Sequence, residues 1–121
     1  MREAELEAYI LQHDARNLQL KRRLAERGID WRNESLVTCR FRAPNQQQAS
    51  RLQEALLHQG FAAAKAEPSP GKAGTWRVQA QVRQSIDRSA SHEFTEQMVR
   101  SAAVLSCFYE GWEAHITLDL T

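Results

Sequence analysis

From Trp76 to Arg83 the chain alternates without a break: Trp76, Val78, Ala80 and Val82 are apolar, and Arg77, Gln79, Gln81 and Arg83 are polar. A period of two places the two sets on opposite faces of a strand, so this segment must rest on a core with one side only. The pattern recurs twice. In Ser35 to Ala43, Val37, Cys39 and Phe41 point one way while Thr38, Arg40 and Arg42 point the other. Trp112 to Leu120 alternates in the same manner. Strands wetted on one face belong to antiparallel sheets, and the segments between them must cover the other face.

Those segments read as helices. Pro44 ends the first strand, and Asn45 is placed to cap a helix over residues 46–59, with Ala49, Leu52 and Leu56 inward and Gly60 closing it. Phe61 to Glu67 is a short, alanine-rich strand suited to a sheet edge, followed by a turn with two prolines and two glycines between Pro68 and Gly74. After the alternating strand comes a polar loop. Ser91 and Glu93 then suit a helix start, and Phe94, Met98, Ala102, Leu105 and Tyr109 fall on one face, with a stop near Gly111.

Ahead of all this, residues 2–27 predict a long helix rich in Ala, Glu, Leu, Gln and Arg. Leu6, Tyr9, Ile10, Leu20 and Leu24 share a face, and Gly28 supplies the stop. Leu11 and Leu18, one heptad apart, make a second stripe elsewhere on it.

The order is therefore a helix and then β-α-β-β-α-β. That order predicts an α+β fold, a ferredoxin-like sandwich of a four-stranded antiparallel sheet with two helices on one face. Residues 1–30 form the extra N-terminal helix and residues 34–121 the sandwich, as one structural unit. A chain of 121 residues buries about two-thirds of its unfolded surface, enough to fold without metal or disulfide.

In this fold the first and third strands are central and the last pairs with the first. The open face would carry Thr38, Arg40, Arg42, Arg77, Gln79, Gln81 and Arg83, with Glu113, His115, Thr117 and Asp119 along one edge. Residues 35–90 hold eight basic and three acidic side chains, and residues 91–121 one basic and five acidic, within a net charge of +1. Arg40, Arg42, Arg77 and Arg83 could thus bind nucleic acid. RNA-recognition domains stack bases on aromatics from the central strands of this face, and here those positions are Arg, Gln and Thr. The simpler expectation is that the arginines pair with acids on neighbouring strands.

No catalytic constellation assembles. His13, His58, His92 and His115 lack metal-ligand spacing, the cysteines make no zinc pattern, and the five glycines make no phosphate loop. Glu113 beside His115 is one exposed pair without a pocket, and Trp31, Trp76 and Trp112 read as packing anchors. No enzyme activity, metal or cofactor is expected. Cys39 and Cys107, read as buried thiols, fit a reducing compartment. The acid-bearing N-terminus lacks the apolar run of a signal peptide, and no stretch is long enough to span a membrane, so a cytoplasmic location is expected.

Phe108-Tyr109-Glu110-Gly111-Trp112-Glu113 resembles the bacterial ribonuclease E inhibitor family, the RraB-type regulators of RNA degradation. Leu24-Ala25-Glu26-Arg27-Gly28-Ile29-Asp30, Phe41-Arg42-Ala43 and Gln59-Gly60-Phe61 match in order, and the resemblance covers about residues 18–117. It implies a ferredoxin-like domain that binds the C-terminal scaffold region of ribonuclease E and lowers its cleavage of messenger RNA, through protein contact alone. Inhibitory members look strongly acidic, whereas this chain is near neutral. The acidic C-terminal set, Glu110, Glu113 and Asp119, with Trp112 at the junction, is therefore the expected contact. Self-association through Leu11 and Leu18, beside Arg22 and Ala25, is a further expectation.

Overall fold

In the computed structural model, which describes residues 2–115, the elements are α1 (Glu3–Glu26), β1 (Glu34–Ala43), α2 (Gln46–His58), β2 (Ala63–Pro68), β3 (Trp76–Ser85), α3 (Ile86–Ser89), α4 (His92–Val104) and β4 (Phe108–His115). The sheet order is β2-β3-β1-β4, and every neighbouring pair is antiparallel. This is the ferredoxin-like arrangement, with β1 and β3 central and β4 paired to β1. Alternation fixes the faces as expected: Val37, Cys39, Phe41, Val78 and Ala80 are buried against α2 and α4, whose Ala49, Leu52, Leu56, Phe94, Met98 and Ala102 complete the core.

Helix ends explain both the successes and the main correction. The Ile29 N–H reaches Leu24 O and the Phe61 N–H reaches Leu56 O, each at a turn with a positive-φ glycine, Gly28 and Gly60. These are Schellman caps, and glycine announces them in the sequence. The same cap ends α4, where the Cys107 N–H reaches Ala102 O at 2.8 Å and the Ser106 N–H reaches Ala103 O. There the left-handed residue is Ser106, with φ of 59°.

The helix accordingly stops at Val104, and residues 108–111, expected as its last turn, are strand. Tyr109 keeps its inward direction because strand and helix both turn it to the same core, where its ring lies 5.2 Å from that of Phe41. Gly111 is no helix stop. It lies inside β4 at a bulge, where Arg40 faces Gly111 and Phe41 faces Tyr109, leaving Glu110 as the extra residue. The loop expected after β3 contains α3, whose N-cap Ser85 accepts from the Arg88 N–H.

α1 packs on α4 and along the β4 edge. Its buried stripe is Leu6, Ile10, His13, Asn17 and Leu24, an unbroken helical period with two polar members at its centre. Leu6 and Ile10 join the main core. Exposed ion pairs line one flank: Glu3 with Arg100 at 2.6 Å, Asp14 with His92 at 2.7 Å and Lys21 with Asp87 at 2.8 Å. Exposed pairs contribute little, so the apolar stripe and its polar centre hold the helix.

Candidate partner-binding surface

The bulge in β4 and the α1 residues over it form one polar cluster. Tyr109 O accepts hydrogen bonds from the Tyr9 hydroxyl and from His13 Nε2 at 3.0 Å. Asn17 is central: its Nδ2 donates to Thr95 Oγ1 at 3.1 Å, and its Oδ1 accepts from the Trp112 indole at 2.9 Å. The Arg16 guanidinium donates to Glu110 O at 3.4 Å and lies over Gly111, where a Cβ would meet it at 3.7 Å. β4 is an edge strand, and this helix occupies the backbone groups that an edge leaves open.

Each residue of Glu110-Gly111-Trp112 thus has a local reason. Gly111 has φ of 126°, a conformation side chains rarely adopt, so the bulge requires glycine. Trp112 is half-buried and tethers β4 to α1. Glu110, the residue the bulge expels, is exposed and forms no ion pair among the described residues.

The other expected contacts lie apart in chemistry. Glu113 stands on the open sheet face and pairs with Arg40 at 2.6 Å. Asp119 lies outside the described residues. His115 bonds Thr38 Oγ1 at 3.1 Å and does not pair with Glu113.

The arginines expected on the open face are there, but two are neutralised. Arg40 is taken by Glu113, and Arg77 by Glu67 on β2. Arg42 lies 5.2 Å over the Phe108 ring, a cation–π contact. Arg83 is exposed at the far end. The face is therefore mixed: Glu67 also serves Lys65 at 3.4 Å, and Arg42 and Arg83 form no ion pair among the described residues, so two carboxylates offset only part of its positive charge.

Titratable groups at the seam are held neutral. Burial lowers the His13 pKa, raises that of Tyr9 and pushes the Tyr109 hydroxyl far up. Burial also pushes the Cys39 thiol up to about 12. The raised values keep Cys39, Tyr9 and Tyr109 protonated at neutral pH, so none of these three is an activated nucleophile. Among the described residues no three His, Cys, Asp or Glu side chains gather as a metal site, and no helix is long and apolar enough to cross a membrane.

Sequence reasoning missed Tyr9, His13, Arg16 and Asn17 as partners of the bulge. A signal existed, because His13 and Asn17 continue the spacing of Leu6 and Ile10 toward Leu24. Polar residues on an apolar stripe mark buried hydrogen bonding.

A family model described as regulator of ribonuclease activity B, RraB, matches residues 14–114. The chain belongs to that family. The match spans α1 from Asp14 onward, the sandwich to Ala114 and the bulge, so it takes in the Arg16 and Asn17 contacts of the α1–β4 seam but not those of Tyr9 and His13. None of the curated proteins matches the chain in direct sequence comparison. RraB proteins are regulators of ribonuclease activity and not a catalytic family. The ribonuclease in the family's description implies a protein partner.

Proposed function

We propose that this protein lowers messenger RNA cleavage by binding the C-terminal scaffold region of ribonuclease E, without catalysis or cofactor. Family membership carries the regulatory part of the reading. The contact is the acidic C-terminal set: Glu110, displayed by the bulge, Glu113 on the open sheet face, and Asp119, which lies outside the described residues. Trp112 serves by fixing the strand to α1, because its indole N–H is already given to Asn17.

The pairing of Arg40 and Arg77 supports this reading against the charge problem that the sequence raises. Each of those arginines holds a carboxylate, which lessens the repulsion of a cationic, RNA-binding scaffold. Glu113 shares its charge with Arg40, so Glu110 is the acid of the set with no ion pair among the described residues. The same pairing weighs against the alternative of a nucleic-acid-binding sheet face.

The test is a titration of the purified protein against the C-terminal half of its host's ribonuclease E, with RNA as competitor. Micromolar or tighter binding is expected, weakened when Glu110, Glu113 and Asp119 are changed together to Lys. Full affinity in that triple variant would reject the site. RNA binding that falls by about 0.7 log units per log unit of salt for each phosphate contacted would favour the arginine face instead.

A further inference from the structure

The sandwich uses one side of α1, and the opposite side is unusually apolar. Ala4, Ala8, Leu11, Ala15, Leu18 and Ala25 repeat at heptad spacing and are all exposed. Leu11 and Leu18 are 64% and 52% exposed, more than any other large hydrophobic among the described residues except Val104. Surface helices normally put polar residues there. The small residues flanking the two leucines would let another helix approach closely.

Apart from Glu26 at the C-terminal end, the exposed unpaired charges around this stripe are divided along the helix. Glu5 and Glu7 stand at its N-terminal end and Arg22 and Arg23 at its C-terminal end, and none of the four forms an ion pair among the described residues. Glu7 and Arg22 are about 22 Å apart at ~1.5 Å per residue. An occupant must then be basic at one end, acidic at the other and apolar between. A second α1 laid antiparallel has that pattern. Setting Leu11 against Leu18 of the second copy brings Ala4 opposite its Ala25, Glu7 opposite its Arg22, and Glu5 beside its Arg23. The parallel arrangement would set like charges together, and it would also align the two helix dipoles unfavourably.

We infer that the outer face of α1 is a self-association surface on which a second copy of this chain docks antiparallel across a two-fold axis. The interface is isologous, so each favourable pair occurs twice. A helix of 24 residues is about 36 Å long, and one such helix pair buries less than the ~1,200 Å² of a standard complex. The dimer is weak, with dissociation in the micromolar range, and the exposed Glu110 and Glu113 lie outside the stripe that it covers.

Sedimentation equilibrium from low micromolar to near-millimolar loading tests this. The apparent mass should rise with concentration from 13.8 kDa toward twice that value. Leu11→Glu with Leu18→Glu should stay monomeric with an unchanged circular dichroism spectrum, since both side chains are already exposed. Glu7→Arg and Arg22→Glu alone should each weaken association roughly tenfold. The double variant should recover it, because antiparallel docking restores both pairs.

A wild-type mass fixed at the monomer value would overturn the proposal, as would association that survives the leucine changes. Failure of the double variant to recover would reject the antiparallel pairing. If the wild type stays monomeric and the leucine variant loses ribonuclease E binding, the stripe belongs to that partner and not to a second copy.

Discussion

Asn17 is the residue on which the docking of α1 turns, and its removal can be worked through from the hydrogen bonds it makes. Changing Asn17 to Ala deletes the acceptor of the Trp112 indole and the donor to Thr95 Oγ1. Thr95 keeps a partner, because its hydroxyl donates to Ser91 O at 2.8 Å. The Trp112 N–H keeps none. A buried donor left unpaired costs about 1–3 kcal/mol, and Trp112 is half-buried, so the lower half of that range applies. Losing the Thr95 bond adds about 1 kcal/mol, giving a destabilisation of roughly 2–3 kcal/mol. That is a large share of the ~5–15 kcal/mol that holds a domain folded.

Trp112→Phe attacks the same bond from the other side and strands the Asn17 carbonyl oxygen. Asn17→Ala with Trp112→Phe removes both polar partners, so the double variant should be less destabilised than the sum of the singles by about 1 kcal/mol or more. Urea unfolding of the four proteins measures this, with Asn17→Ala lowering the midpoint by about 1 M. Amide exchange in α1 should accelerate in parallel, because the helix loses its polar anchor before the sandwich loses its core. Strict additivity, or an Asn17→Ala cost below about 0.5 kcal/mol, would show that the polar centre of the stripe does not hold the helix.

Gly111→Ala should cost about 1–3 kcal/mol in thermal unfolding through backbone strain alone. The added Cβ meets only the Arg16 guanidinium, at 3.7 Å, so Arg16→Ala should not rescue it. Acid stability should report on His13. Burial holds its folded pKa below the ordinary 6.5, so the unfolded chain takes up the proton first. Its contribution is then complete above about pH 6.5 and is lost as pH falls below that value, at up to about 1.4 kcal/mol per pH unit. His92 opposes it, because the Asp14 carboxylate raises its pKa; its stabilisation is present below 6.5 and lost as pH rises through the folded value. Urea midpoints between pH 5 and 8 should fall more gently on the acid side in His13→Gln and more steeply in His92→Gln. Burial pushes the thiols of Cys39 and Cys107 up to about 12 and about 11, so neither should react with an aromatic disulfide reagent at pH 8 until urea unfolds the chain. Prompt labelling of the native protein would contradict their placement.

The chain order of elements and the inward face of β1 and β3 were legible because strand alternation and helix period are local properties. Each residue's direction follows from its neighbours once the core side is chosen. The caps at Gly28 and Gly60 were legible for a related reason, since a left-handed turn residue without a Cβ is written in the sequence. The third cap was not, because Ser106 adopts the same conformation without the glycine that signals it. Leu105 and Tyr109 then continued the α4 stripe, and nothing local distinguishes a helix from a strand when both deliver Tyr109 to one core.

What the sequence determined by itself was a one-sided antiparallel sheet with helical cover, the family resemblance, and a cationic middle followed by an acidic end. Only the tertiary structure decided what those charges do. Arg40 and Arg77 meet Glu113 and Glu67 across strand pairs, so a face that reads as basic is partly neutralised. It also decided that Gly111 makes a bulge that expels Glu110, and that His13 and Asn17 lock α1 over it. The physical reason is separation along the chain: Asn17 and Trp112 are 95 residues apart. Helical period marks Asn17 as inward-facing, but nothing local names Trp112 as its partner, and only folding brings the two ends together.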